Sequence, residues 1–121
     1  MNNFEELEVW KQARLIRNEV AVLVKTFPSD EKYKLTDQLL RATRSVTANI
    51  AEGYGRFHYQ ENIQFCRHSR GSLNETLDHL ICAFDAEYID ENKLQSFRTK
   101  IANNIKVLNG YIAYLKRRKE E

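Results

Sequence analysis

Proline occurs once in this chain of 121 residues, glycine four times and cysteine twice. So few breakers favour long helices over a turn-rich sheet protein. No apolar run approaches the roughly 20 residues that a membrane-crossing helix needs. The opening residues "MNNFEELEVWKQ" are acidic and mixed, which does not read as a secretory signal. The expectation is a cytoplasmic protein with no membrane role. Cys66 and Cys82 fall on one expected helix, about 24 Å apart at 1.5 Å per residue. A disulfide needs Cα atoms within about 7 Å, so both are expected as reduced, packed thiols. Charge of one sign is also lacking. Residues 1–60 carry nine basic and eight acidic groups, residues 61–121 carry ten and nine, and the net formal charge is +2. Only the tail is one-sided, at Lys116, Arg117, Arg118 and Lys119.

What is present is periodic apolar residues. Hydrophobic residues make up 42% and charged residues 30%, a globular composition. The length suits one domain over 1–121, which buries about two thirds of the surface its unfolded chain exposes. Val9, Ala13, Ile16, Val20, Leu23 and Phe27 step by 4, 3, 4, 3, 4 and end at Pro28, whose ring blocks the preceding turn. Leu35, Leu39, Ala42, Val46 and Ile50 form a second stripe, with Thr36 or Ser29 as its N-cap. Cys66, Arg70, Leu73, Leu77, Leu80 and Phe84 form a third. Leu94, Phe97, Ile101, Asn104 or Ile105, Leu108, Ile112 and Leu115 form a fourth, capped by Asp90. Four amphipathic helices of roughly 20–28 residues with short links imply an all-α, antiparallel up-down four-helix bundle.

Helix 2 has an unusual second face. In "RATRSVTANIAEGYGR", Arg41, Ser45, Asn49 and Glu52 are spaced 4, 4 and 3 and share one side. Short side chains there let another backbone come close, and a buried polar group left unpaired costs about 1–3 kcal/mol. "SRGSLNET" on helix 3 offers partners. The expected structure is a hydrogen-bonded seam in which Asn49 and Glu52 face Ser72 and Glu75, with Arg41 balancing a carboxylate. Close packing would offset the helix cost of Gly71. Gly53 and Gly55 are expected as C-cap glycines, where φ > 0 is tolerated. They are not a phosphate loop, because no strand precedes them and no Lys-Ser/Thr follows.

"LEVWKQA" (7–13), the spaced pattern "Q..RA..S...NIAEG.GR" (38–56), "GSLNE" (71–75) and "EYI" (87–89) resemble the 23S ribosomal RNA intervening-sequence proteins. Two departures stand out. Arg70 sits where the family carries a small or aliphatic residue, and Ala86-Glu87-Tyr88-Ile89 replaces a Leu-Gly-Tyr-Ile type of ending. The resemblance implies a four-helix bundle that assembles. The family is similar to the accessory proteins of diversity-generating retroelements, which form ring-shaped homopentamers and bind nucleic acid and a reverse transcriptase. On that basis the polar row serves a subunit interface, the internal seam, or both.

Reaction chemistry is sparse. No Glu is followed three residues later by His, as di-iron bundles require. Glu75 and His79 share a face but read as a surface ion pair. None of His58, His68 and His79 follows an Arg at the spacing some helical ribonucleases use. No zinc-protease helix, Cys-x-x-Cys or nucleophile elbow occurs. The acidic "DAEYIDEN" lacks the EF-hand glycine and reads as a helix end plus a cap. No catalytic residue, metal or cofactor is expected.

The basic groups admit two readings. Lys116, Arg117, Arg118 and Lys119 suit a solvated helix end that complements the dipole. They also suit phosphate contact, with Arg44, Arg56 and Arg67 as further candidates. Tyr54, Phe57 and Tyr59 near Arg56 either close the helix 2–3 corner or stack on bases. The expected protein is a non-enzymatic, oligomeric scaffold of a ribonucleoprotein that touches RNA or DNA electrostatically. The alternative is an adaptor that binds a protein partner and no nucleic acid.

Overall fold

The structure is a computed structural model that describes residues 3–120. The apolar stripes become the buried faces of four α-helices: α1 (Glu8–Leu23), α2 (Leu35–Tyr54), α3 (Tyr59–Asp85) and α4 (Glu91–Glu120). No strand occurs among the described residues. The helices run 16, 20, 27 and 30 residues, so α1 is shorter and α4 longer than the spacing predicts.

α1 gives way to a tighter 3-10 turn at Val24–Thr26, where the Thr26 hydroxyl donates to the Leu23 carbonyl at 2.7 Å. Phe27 is then extended (φ −75°, ψ 155°), the region that a following proline imposes. The tighter winding turns the face, so that Val24 is buried and Leu23 only half-buried. α2 is not capped by Thr36 or Ser29. Thr36 lies inside its first turn, and the Glu31 carboxylate accepts the Leu35 amide at 3.4 Å. A second 3-10 turn, Ser29–Glu31, places that carboxylate above the helix start.

The third stripe is displaced. α3 buries Cys66, Leu73 and Leu80 as expected, but their partners are Ser69, Thr76 and Ala83. Arg70, Leu77 and Phe84, one residue further on, are only half-buried. Small side chains win the inner positions because α2 lies so close. α3 ends in a Schellman turn, in which the Tyr88 amide donates to Ala83 and the Glu87 amide to Phe84, both at 2.9 Å. The left-handed residue of that turn is Glu87 (φ 64°), where the resembling pattern has glycine. Asp90 caps α4 by accepting the Lys93 amide at 2.8 Å. Of the two alternatives in α4, Asn104 is the buried residue, and it donates to the Val9 carbonyl at 3.1 Å.

Cross-helix pairs set the directions. Ser45 meets Ser72 while Val46 meets Ser69, so α2 and α3 are antiparallel. Asn62 meets Tyr111 and Lys119 meets Gln60, which makes α3 and α4 antiparallel. Asn104 reaches Val9 and Lys100 reaches Glu19, so α4 and α1 are antiparallel as well. Contacts between α1 and α2 complete the circuit of an up-down four-helix bundle. Leu39, Ile50, Ile63, Leu73, Leu80, Phe97, Ile101 and Leu108 fill the core, each worth about 1.5–3 kcal/mol on burial. No helix among the described residues is long and apolar enough to cross a membrane.

The glycines differ from expectation. None has positive φ. Gly53 lies within α2, where a Cβ would meet Asn62 Oδ1 at 2.6 Å and the Phe65 Cβ at 2.9 Å. It is there for close approach rather than for capping. Gly55 does hold the C-cap, but in a right-handed conformation (φ −76°). Gly71 has nothing within 4 Å of its Cβ position, so no tight contact offsets its helix cost.

Candidate nucleic-acid interface

Most of the expected site residues fall in two polar regions, the α2–α3 seam and the bundle end where α2 stops, α3 starts and α4 finishes. In the seam the Ser45 and Ser72 hydroxyls lie 2.9 Å apart. The Asn49 amide donates to the Ser45 carbonyl at 2.8 Å and to its hydroxyl at 3.0 Å. Deeper in, fully buried Ser69 donates to the Val46 carbonyl at 2.8 Å. Thr76 donates to the Ser72 carbonyl at 2.9 Å. These groups satisfy one another, and no base stands beside any hydroxyl to activate it.

The charged members of the row lie outside the seam. Arg41 pairs with Asp37 at 2.8 Å on its own helix, with its side chain 77% exposed. Glu52 pairs with Arg56 at 2.8 Å and Glu75 with His79 at 3.2 Å. Neither carboxylate faces across the seam, because long side chains at its edge gain more from water and an i,i+4 partner than from burial.

The basic candidates divide. Arg44 lies on the outer side of α2 near Asp37 and Arg41, and Arg67 is exposed on α3. Arg56, Arg118 and Lys119 converge at the bundle end. The Arg56 guanidinium is held by Glu52 and, at 3.5 Å, by Glu61, and it sits 4.9 Å from the Phe65 ring centre. Arg118 lies 6.0 Å over the Tyr59 ring. Lys119 donates to the neutral amide oxygen of Gln60 at 2.6 Å, a bond that leaves its charge in place. Lys116 and Arg117 are exposed on the same closing stretch of α4, with Arg117 three residues after Tyr114 and so on its side of the helix.

Between these charges opens a cleft of about 520 Å³ walled by Tyr54, Phe57, His58, Tyr59, Tyr111 and Tyr114. Phe57 does not close the corner: it is 92% exposed, with its ring edge-on to His58 at 5.0 Å. The floor is fixed by hydrogen bonds. The buried Asn62 side-chain amide donates to the Tyr111 hydroxyl at 3.2 Å, and the Cys66 thiol donates to Asn62 Oδ1 at 3.6 Å. Burial raises the Tyr111 pKa and pushes the Cys66 thiol up to about 12, so both hold their protons. Cys82, by contrast, is exposed rather than packed.

Residues 5–110 match the 23S rRNA-intervening sequence protein family. The chain belongs to that family. A crystal structure of a protein of unknown function from the S23 ribosomal protein family of Bacteroides thetaiotaomicron has the same fold, with a TM-score of 0.79 at 23% identity. The match covers 87% of this chain and 95% of the other. No curated protein matches. In this intervening-sequence protein the spaced block from Gln38 to Arg56 spans α2, from the seam to the bundle end. Sequence reasoning missed Asn62, Tyr111 and Tyr114 as parts of the cleft. The available signal was a tyrosine pair three residues apart just before the basic tail, which an antiparallel bundle must bring to the start of α3.

Proposed function

We propose that this chain is a non-enzymatic, self-assembling accessory of a ribonucleoprotein that holds RNA by its phosphates. The carrying observation is the delivery of the α4 basic turn (Arg117, Arg118 and Lys119) to the bundle end where Arg56 and α3 begin a new surface. Phosphate neutralisation by such groups is sequence-independent and sensitive to salt. Self-association has its own support. Leu15 and Val22, seven residues apart on one side of α1, are 69% and 65% exposed, and Leu15 borders a groove shared with α4 at Lys100 and Asn103. A closed ring of copies, five by family resemblance, covers such a face and repeats each basic patch. Weak contacts then add up by multivalency.

Retention of a labelled structured RNA tests this reading. Binding near 50 mM salt should weaken steeply by 200 mM, and replacing Lys116, Arg117 and Lys119 by Gln should flatten that dependence. No retention even near 50 mM, with a partner protein recovered instead, would establish the adaptor alternative. Light scattering tests assembly separately: a particle of one chain overturns the ring.

A further inference from the structure

The bundle end holds more than charge. A phenylalanine left 92% in water loses the gain of burial, yet Phe57 projects beside a cleft that its own chain leaves open. Other rings have neighbours within the bundle. Tyr111 and Tyr114 are nearly parallel (13°) with centres 6.3 Å apart, and Asn62 locks Tyr111 from below. That bond uses the Tyr111 oxygen as acceptor, which leaves its O–H to donate toward an acceptor in the cleft. Tyr59 lies under Arg118, and Lys119 is tied to Gln60 one residue further on. Charge is graded across the opening. Glu52 and Glu61 engage Arg56 on one rim, so the cations offered to phosphate on the other rim are Arg117 and Lys119 of α4.

We propose that this cleft stacks unpaired nucleotides, with bases against Phe57 and Tyr114 and the flanking phosphates against Lys119 and Arg117, which lies three residues after Tyr114 on the same side of α4. The proposal rests on the RNA-binding reading above and narrows it from any polyanion to single-stranded segments. Every base has a π-face, so aromatic platforms beside cations hold single strands with little sequence preference. A duplex cannot use them. Its bases are stacked inside, and the deep, narrow major groove of A-form RNA excludes side chains. A volume near 520 Å³ falls within the range of small-ligand sites and suits one or two nucleotides rather than a helix.

Fluorescence anisotropy with a labelled oligoadenylate, its deoxy equivalent and a blunt RNA duplex tests the proposal. The single strands should bind more tightly than the duplex. Equal affinity for the two single strands assigns the site to any unpaired strand, whereas a preference for the ribose form adds contacts to the 2′-hydroxyl. Phe57→Ala and Tyr114→Ala remove exposed rings. Each should weaken single-strand binding about 5- to 150-fold at unchanged salt slope, and Phe57→Trp should restore it. Arg117→Gln and Lys119→Gln should instead lower the slope, by about 0.7 per lost phosphate contact. Duplex binding that equals single-strand binding and ignores both ring substitutions overturns stacking while the electrostatic reading survives. Failure of all three probes to bind near 50 mM salt overturns both.

Discussion

The same substitution at three helical glycines should change stability in opposite directions. Gly53, Gly71 and Gly110 all lie within helices. Alanine is favoured over glycine in a helix interior by about 1 kcal/mol. At Gly71 and Gly110 nothing lies within 4 Å of the new methyl, so Gly71→Ala and Gly110→Ala should each stabilise by about 0.5–1 kcal/mol. At Gly53 the methyl would sit 2.6 Å from Asn62 Oδ1, 2.9 Å from the Phe65 Cβ and 3.1 Å from the Asn62 carbonyl oxygen. Two of these neighbours are held in the α3 backbone or next to it, so rotating one side chain does not relieve the overlap. Overpacking of this kind costs about 1–3 kcal/mol. Displacing the Asn62 amide also weakens its bond to Tyr111, at about 0.5–1.5 kcal/mol. Set against the helix gain, Gly53→Ala should destabilise by about 2 kcal/mol. Thermal unfolding followed by circular dichroism reads this as a melting temperature lower by roughly 6–10 °C, with rises of roughly 2–4 °C for the other two. Protein concentration must be equal throughout, because the proposed assembly would make the transition concentration-dependent. A Gly53→Ala protein as stable as the parent would refute the close-approach argument.

Glu87→Gly should stabilise, since a left-handed non-glycine residue costs about 1–2 kcal/mol and glycine returns about 0.4–1 kcal/mol through the unfolded chain. The urea midpoint should rise at unchanged slope, and a fall would mean that the Glu87 side chain contributes something the backbone argument omits. The Tyr88 hydroxyl donates to Glu31 at 2.7 Å, and this bond, then burial, then the charges of Glu31 and Asp30, raise its pKa above 10. The resulting stabilisation is fully present below pH 10 and is lost as pH rises through the folded value. Tyr88→Phe should therefore flatten the alkaline decline in stability, and an identical decline would exclude Tyr88 as its source. A thiol reagent near pH 8 should label one cysteine per chain in the native protein and two in denaturant. Cys82 is exposed while Cys66 is buried with its pKa near 12, so native labelling of Cys66 would contradict the packing.

The fold was legible because apolar spacing is a one-dimensional signal of a one-dimensional face. Every residue of the α2 and α4 stripes, with Asn104 chosen over Ile105, is buried. In α3, packing distance overrides hydrophobicity. Leu77 and Phe84 look more like core than Thr76 and Ala83, but α2 approaches α3 too closely to admit them. At Val24 a change of helix type alters the period and buries a residue outside the stripe. Of the seam, Ser45 meets Ser72 across the two helices, while Asn49 bonds to Ser45 on its own helix instead of facing Ser72 as expected. Glu52, Glu75 and Arg41 stay outside it, because spacing cannot say which side of a groove edge a long charged side chain will take.

The cleft was hidden for a different reason. Its walls come from segments near positions 57, 62, 111 and 114, and only the up-down topology makes them neighbours. That origin also separates the two polar regions by what they can still do. In the seam, each hydroxyl and the Asn49 amide has a partner within the bundle, so a ligand there would have to displace bonds worth about 1 kcal/mol each. At the bundle end, Phe57 has no cover, Lys119 keeps its charge and the Tyr111 hydroxyl has donor capacity to spare. A ligand there gains contacts at little internal cost. Cyclic symmetry would compound the difference. In a closed ring every copy presents the same end at the same height along the axis, so the clefts would lie on one circle with their basic turns beside them. A single strand following that circle meets the second cleft at high effective concentration once the first is filled. The seam, by holding α2 against α3 at fixed register, would keep the cleft of each copy in a constant position.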